Sequence, residues 1–136
     1  MEHFFRIAFW ITLSGCLQIK SLPISDFGKK LMETHVECPP DATFYAPTNV
    51  KRECITTALD CVMRELHGRA KEECEGIHQY INMAVGTLDH VIEKRSAKGH
   101  ALNNSTECAC ERWIQIPFRD FLDKASSLLE LANADA

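Results

Sequence analysis

Seven cysteines in 136 residues constrain this chain more than any other feature. The first, Cys16, closes an N-terminal stretch in which Arg6 precedes the apolar run Ile7 to Leu13 and the small residues Ser14 and Gly15. An apolar run this short at the start of a chain reads as a secretory signal and not as a membrane span. We expect residues 1–22 to be the signal, cut between Gly15 and Leu22, and residues 23–136 to form one folded domain. Cleavage removes Cys16 and leaves Cys38, Cys54, Cys61, Cys74, Cys108 and Cys110. An even set in a short secreted chain implies a disulfide framework whose connectivity spacing alone leaves open.

Charge excludes one class of partner. The formal net charge is −4, and losing Glu2, Arg6 and Lys20 with the signal leaves about −5. Without a basic footprint, nucleic acid is not an expected partner. No later apolar run is long enough for membrane insertion.

Four segments show helical periodicity and none shows sustained alternation. The first spans roughly residues 24–36, with Ile24, Phe27, Leu31 and His35 on one stripe; Gly28 inside it costs about 1 kcal/mol of helix propensity. The second, residues 50–67, places Ile55, Ala58, Leu59, Val62 and Leu66 on one face, with Thr48 or Asn49 to cap it and Gly68 to end it. The third, about residues 74–97, carries Ile77, Ile81, Ala84, Val85, Leu88, Val91 and Ile92, with Lys94 and Arg95 where cations favour a helix C-terminus. The fourth, residues 117–134, turns Phe118, Phe121, Leu122, Ala125, Leu128, Leu129 and Ala132 inward. The connections run long, short, long. About a dozen extended residues reach about 40 Å, enough to run back along a helix of about 21 Å and start a parallel neighbour. The expected fold is therefore all-α: a short-chain four-helix bundle of up-up-down-down cytokine topology, held by disulfides.

Cys54 and Cys61 lie seven residues apart, on one helix face and about 10 Å from each other, too far to bond together. Both can be bridged to one passing segment, and Cys108-Ala109-Cys110 in the last long connection is such a segment. A zinc site would ask for paired C-x-x-C motifs or a close histidine pair, and a redox site for C-x-x-C beside a strand–helix unit; neither pattern is present. No metal, cofactor or catalytic role is expected, and His35 and His78 read as helix-face residues. Asn103 and Asn104 open overlapping N-x-[ST] sequons and are candidate glycosylation sites, with room for one glycan.

D-A-T-F-Y (Asp41 to Tyr45), C-I-T-T-A-L-D-C (Cys54 to Cys61), R-E-L (Arg64 to Leu66), Ile77-His78, the sequon close before a cysteine pair, and D-F-L (Asp120 to Leu122) together resemble the interleukin-15 family of cytokines. The likeness runs from about Ile24 through nearly all of the mature chain. It implies disulfides Cys54–Cys108 and Cys61–Cys110. It also implies a private receptor alpha chain, contacted through Tyr45, Glu65, Glu72 and Glu111, and shared beta and common gamma chains. Asp26 stands at the family's beta-chain aspartate, and Glu130 where the family offers a glutamine to the gamma chain. Third-helix positions used for the beta chain align with Gln79, Asn82 and Met83, which depart from the family pattern. The cysteine pair is C-x-C where the family has C-x-x-C. Cys38 and Cys74 are additional, and we expect them to bond each other, tying the end of the first helix to the start of the third.

The function so implied is a secreted cytokine that regulates lymphocytes. The alternative is a secreted, disulfide-held helical carrier of lipid. That reading suits cysteines spread through every helix around a cavity, whereas the fourth helix here has none.

Overall fold

The computed structural model describes residues 29–135. The signal and its cut, and the expected roles of Ile24, Asp26, Phe27 and Gly28, lie outside the described residues. Among the described residues four helices, α1 (Lys29–His35), α2 (Ile55–Glu65), α3 (His78–Ala97) and α4 (Phe118–Ala134), carry the fold. Four short strands, β1 (Val36–Glu37), β2 (Thr43–Ala46), β3 (Glu75–Gly76) and β4 (Ile114–Pro117), lie in the connections.

Side-chain contacts at the two poles give the helix directions. At one pole His35, ending α1, stacks on Tyr80 near the start of α3, ring centroids 4.8 Å apart. The disulfide Cys38–Cys74 joins the segment leaving α1 to the segment between α2 and α3. At the other pole Arg95, near the end of α3, donates to Thr56 Oγ1 at the start of α2 at 2.9 Å. It also donates to the Ala132 carbonyl and to Asp135 Oδ2, at 3.4 and 3.2 Å, at the end of α4. Helices α1 and α2 thus run one way and α3 and α4 return, the up-up-down-down order.

The core is the sum of the four inward stripes. Met32, Ile55, Leu59, Leu66, Ile81, Leu88, Phe121, Leu122 and Leu129 are wholly or almost wholly buried. All seven expected inward residues of α4 are buried. The first connection contributes Phe44, which meets Phe118 edge-on at 5.4 Å and Phe121 at 5.3 Å. Such aromatic pairs add about 0.5–1.5 kcal/mol each beyond their burial.

Three local expectations are corrected. Gly68 does not end the second helix: α2 continues through a π-helical turn, Leu66–Ala70, and a last turn, Lys71–Glu73. The wider turn keeps Leu66, Ala70 and Cys74, four residues apart, on the core side, where a 3.6-residue period would carry them gradually round. Neither Thr48 nor Asn49 caps α2. Asn49 takes a left-handed φ of 50°, and the helix begins from a 3₁₀ turn, Arg52–Cys54, without a side-chain cap. Helix α3 starts at His78 and not at Cys74, because Glu75 and Gly76 pair with Glu37 and Val36. Gly76 has φ 133°, and a Cβ there would fall 2.0 Å from the His35 carbonyl oxygen, so only glycine fits. Ile77 consequently stands before the helix and is 46% exposed.

Two features are new relative to the sequence reading. Strands β2 and β4, one from each long connection, form an antiparallel ribbon in which Thr43, Phe44, Tyr45 and Ala46 face Pro117, Ile116, Gln115 and Ile114. Arg95 is 5% exposed, so it joins three helices and is not a solvated end charge. Removing one partner from a buried charged network costs about 3–5 kcal/mol. Arg95→Ala is therefore expected to lower unfolding stability by about 3 kcal/mol in urea denaturation followed by circular dichroism, whereas an unshifted midpoint would deny the network that role.

Candidate functional site

The ribbon and the C-terminal part of α2 build one continuous surface. In β2 the burial alternates, with Phe44 and Ala46 buried and Thr43 and Tyr45 half-buried on the outer side. The Tyr45 amide donates to Glu65 Oε1 at 2.7 Å, so the last turn of α2 holds the strand directly. One helical turn on, Arg69 Nη1 donates to the Thr43 carbonyl at 2.7 Å and to Gln115 Oε1 at 3.2 Å. Thr43 Oγ1 also donates to Gln115 Oε1, at 3.0 Å, and Arg69 Nε lies 3.6 Å from Glu73.

The disulfides tether the second long connection to the same helix. Cys54 bonds Cys108 with Cα atoms 5.1 Å apart, and Cys61 bonds Cys110 at 5.3 Å, both ordinary separations. The C-x-C segment reaches both by folding into two 3₁₀ turns, Thr106–Cys108 and Cys110–Arg112, around an extended Ala109. Glu111 follows Cys110 directly and is exposed. Its neighbour's disulfide fastens it to α2 at Cys61, one turn before Glu65.

Of the alpha-chain candidates, Tyr45 and Glu65 are in direct contact and Glu111 is tethered to their helix. Glu72 is exposed in the closing turn, two turns beyond Glu65. Glu130 lies apart on the exposed side of α4, and Asp26 is outside the described residues. On α3, Gln79 and Asn82 are exposed and Met83 is half-buried. The two sequon asparagines differ. Asn103 is half-buried, its Oδ1 accepting from the Ser105 amide at 2.9 Å and its Nδ2 donating to the Glu53 carbonyl at 3.4 Å; Asn104 is exposed. Arg69, Thr43 and Gln115 were not read as site residues from the sequence. Their signals were short: Glu65 and Arg69 at helical i, i+4, and four alternating residues in each strand.

The arrangement brings a tyrosine, a carboxylate, a guanidinium and a glutamine amide together where the ribbon meets α2. A four-helix bundle with two overhand connections paired in a ribbon and bonded by disulfides defines a short-chain helical cytokine. Residues 15–132 match the family described as interleukin 15, most of the chain, and the chain belongs to that family. None of the curated proteins compared with it matches.

The Cys61–Cys110 bond closes a loop of 49 residues, and a bridge over such a loop is worth about 2–4 kcal/mol. Replacing both partners, Cys61→Ala with Cys110→Ala, is expected to reduce stability by that amount in urea unfolding. A change below about 0.5 kcal/mol would mean that the ribbon holds without it.

Proposed function

We propose that this chain is a secreted interleukin-15-type cytokine that binds a private receptor alpha chain through the face of Tyr45, Glu65, Glu72 and Glu111. It then signals through shared beta and common gamma chains to regulate lymphocytes. The observation that carries the reading is the Tyr45 amide bonded to Glu65 at 2.7 Å, which unites the family's D-A-T-x-Y segment and its second-helix glutamate on one surface. Glu72 and Glu111 are exposed, and the family's pattern assigns them to the same face, where their negative charge suits a basic partner and charge-steered association. Residues 1–22 act as the secretory signal, and the exposed Asn104 is the better placed of the two glycan acceptors. The shortened cysteine pair and the extra Cys38–Cys74 bond favour the interleukin-15-like paralogue, or a divergent interleukin-15, as the nearest type.

Asp26 is the proposed beta-chain contact. Glu130 replaces the family's gamma-chain glutamine, so gamma-chain engagement is expected to be weaker than alpha-chain binding. The carrier alternative lacks support: wholly buried Phe44, Leu59, Ile81, Leu88 and Phe121 fill the centre that a carrier would leave open.

Titration of the pure protein against the three receptor ectodomains, separately and together, tests the reading. The alpha chain should bind alone, and more slowly at raised ionic strength. Tyr45→Ala, Glu72→Lys and Glu111→Lys should each weaken it by roughly tenfold, about 1.4 kcal/mol. Uptake of fatty acid or liposomes without alpha-chain binding would favour the carrier. For the beta chain, Asp26→Ala should sharply reduce receptor phosphorylation in responding cells, and undiminished signalling would remove Asp26 from that interface.

A further inference from the structure

We infer that Glu65 and Arg69 act as a paired clamp on the outer edge of β2, and that Arg69 is a positioning residue for the receptor-facing ribbon. The inference deepens the proposed alpha-chain reading and rests on it for its biological consequence.

A two-stranded ribbon leaves backbone donors and acceptors unpaired on each outer edge. On β2 those groups include the Tyr45 amide and the Thr43 carbonyl, two residues apart. Glu65 accepts from the first at 2.7 Å and Arg69 donates to the second at 2.7 Å. The two strand groups lie two residues apart on one edge, and Glu65 and Arg69, four residues apart across the wider turn, each reach one of them. The acceptor side chain therefore meets the strand donor, and the donor side chain meets the strand acceptor. Exchanging the two residues would set like against like. The π-helical turn Leu66–Ala70 contains Arg69 and sets its approach to the ribbon.

The clamp changes what Glu65 offers a partner. Its Oε1 is occupied by the strand, so Oε2 is the oxygen that remains. Gln115 Oε1 is occupied by Arg69 and Thr43 Oγ1, at 3.2 and 3.0 Å, which turns the amide nitrogen of Gln115 away from both. The pose of the Tyr45 ring follows from where its backbone is held. A substitution at Glu65 then acts on receptor binding first by releasing Tyr45, and one at Arg69 acts by releasing Thr43 and Gln115 of the same ribbon.

Four variants of the secreted protein separate positioning from charge: Glu65→Gln, Glu65→Ala, Arg69→Lys and Arg69→Ala. Hydrogen exchange of the Tyr45 amide in the free cytokine reads the clamp with no receptor present. Glu65→Ala should speed that exchange at least about tenfold and weaken alpha-chain affinity by a similar factor. Glu65→Gln keeps the acceptor and loses the charge, so it should keep slow exchange and lose less affinity than Glu65→Ala. Arg69→Ala should cost about tenfold in affinity, chiefly through faster dissociation, and Arg69→Lys should recover part of it. Unchanged Tyr45 exchange in Glu65→Ala would overturn the clamp. Loss of binding in Glu65→Gln as large as in Glu65→Ala, with exchange still slow, would show that Glu65 works by its charge on the partner, against the inference. If the unsubstituted protein binds no alpha chain while the exchange results hold, the receptor reading fails and the clamp stands.

Discussion

Two long connections must lie along one side of a small bundle, and everything that faces outward on that side depends on their being held there. Loose connections of this length gain little from contacts made one at a time, since each contact must offset the entropy of ordering the chain. Two disulfides, Cys54–Cys108 and Cys61–Cys110, anchor the second connection to α2. Phe44 anchors the first by packing against both Phe118 and Phe121. With both anchored, β2 and β4 fall into register, and the edge of β2 comes within reach of Glu65 and Arg69. The surface around Tyr45 is the outcome of that sequence of constraints.

The two poles of the bundle are closed by different chemistry. Near the ends of α1 and α2, the covalent bond Cys38–Cys74 lies beside the short β1–β3 pair. That pair sets Glu37 opposite Glu75, a like-charge juxtaposition that disfavours pairing. The adjoining disulfide and the Ile77 amide donating to His35 hold the two strands together against it. At the far pole, where Cys54–Cys108 ties the start of α2 to the second connection, the buried guanidinium of Arg95 joins three helices to one another. Asp135 also receives Arg52 at 2.9 Å, so one carboxylate bridges the start of α2 to the end of α3.

Much of the bundle was legible in the residues themselves. Helical periodicity marked each described helix, and in α4 it marked every buried residue. The same-face placement of Cys54 and Cys61 pointed to bridging with a third segment. The ribbon was not legible, because strands of four residues carry too little alternation to stand out, and their partners lie some 72 residues apart. The extension of α2 past Gly68 was missed because glycine after an amphipathic run ordinarily signals a stop; burial of Ala70 and Cys74 outweighs that local preference. Tyr45, Glu65, Glu72 and Glu111 are grouped by the family resemblance, since in the chain alone the carboxylates read as solvated helix faces.

By itself the sequence determined what depends on periodicity and counting: four amphipathic helices, their long-short-long connections, and the spacing of the six cysteines from Cys38 to Cys110. These are properties of neighbours along the chain, and local physics is enough to read them. Only the tertiary structure decided that the two connections pair with each other, that Arg95 is buried, and that Glu65 and Arg69 meet β2 as acceptor and donor. Each of those is a contact between distant segments. Its geometry exists only after the core has set the distance and angle between them.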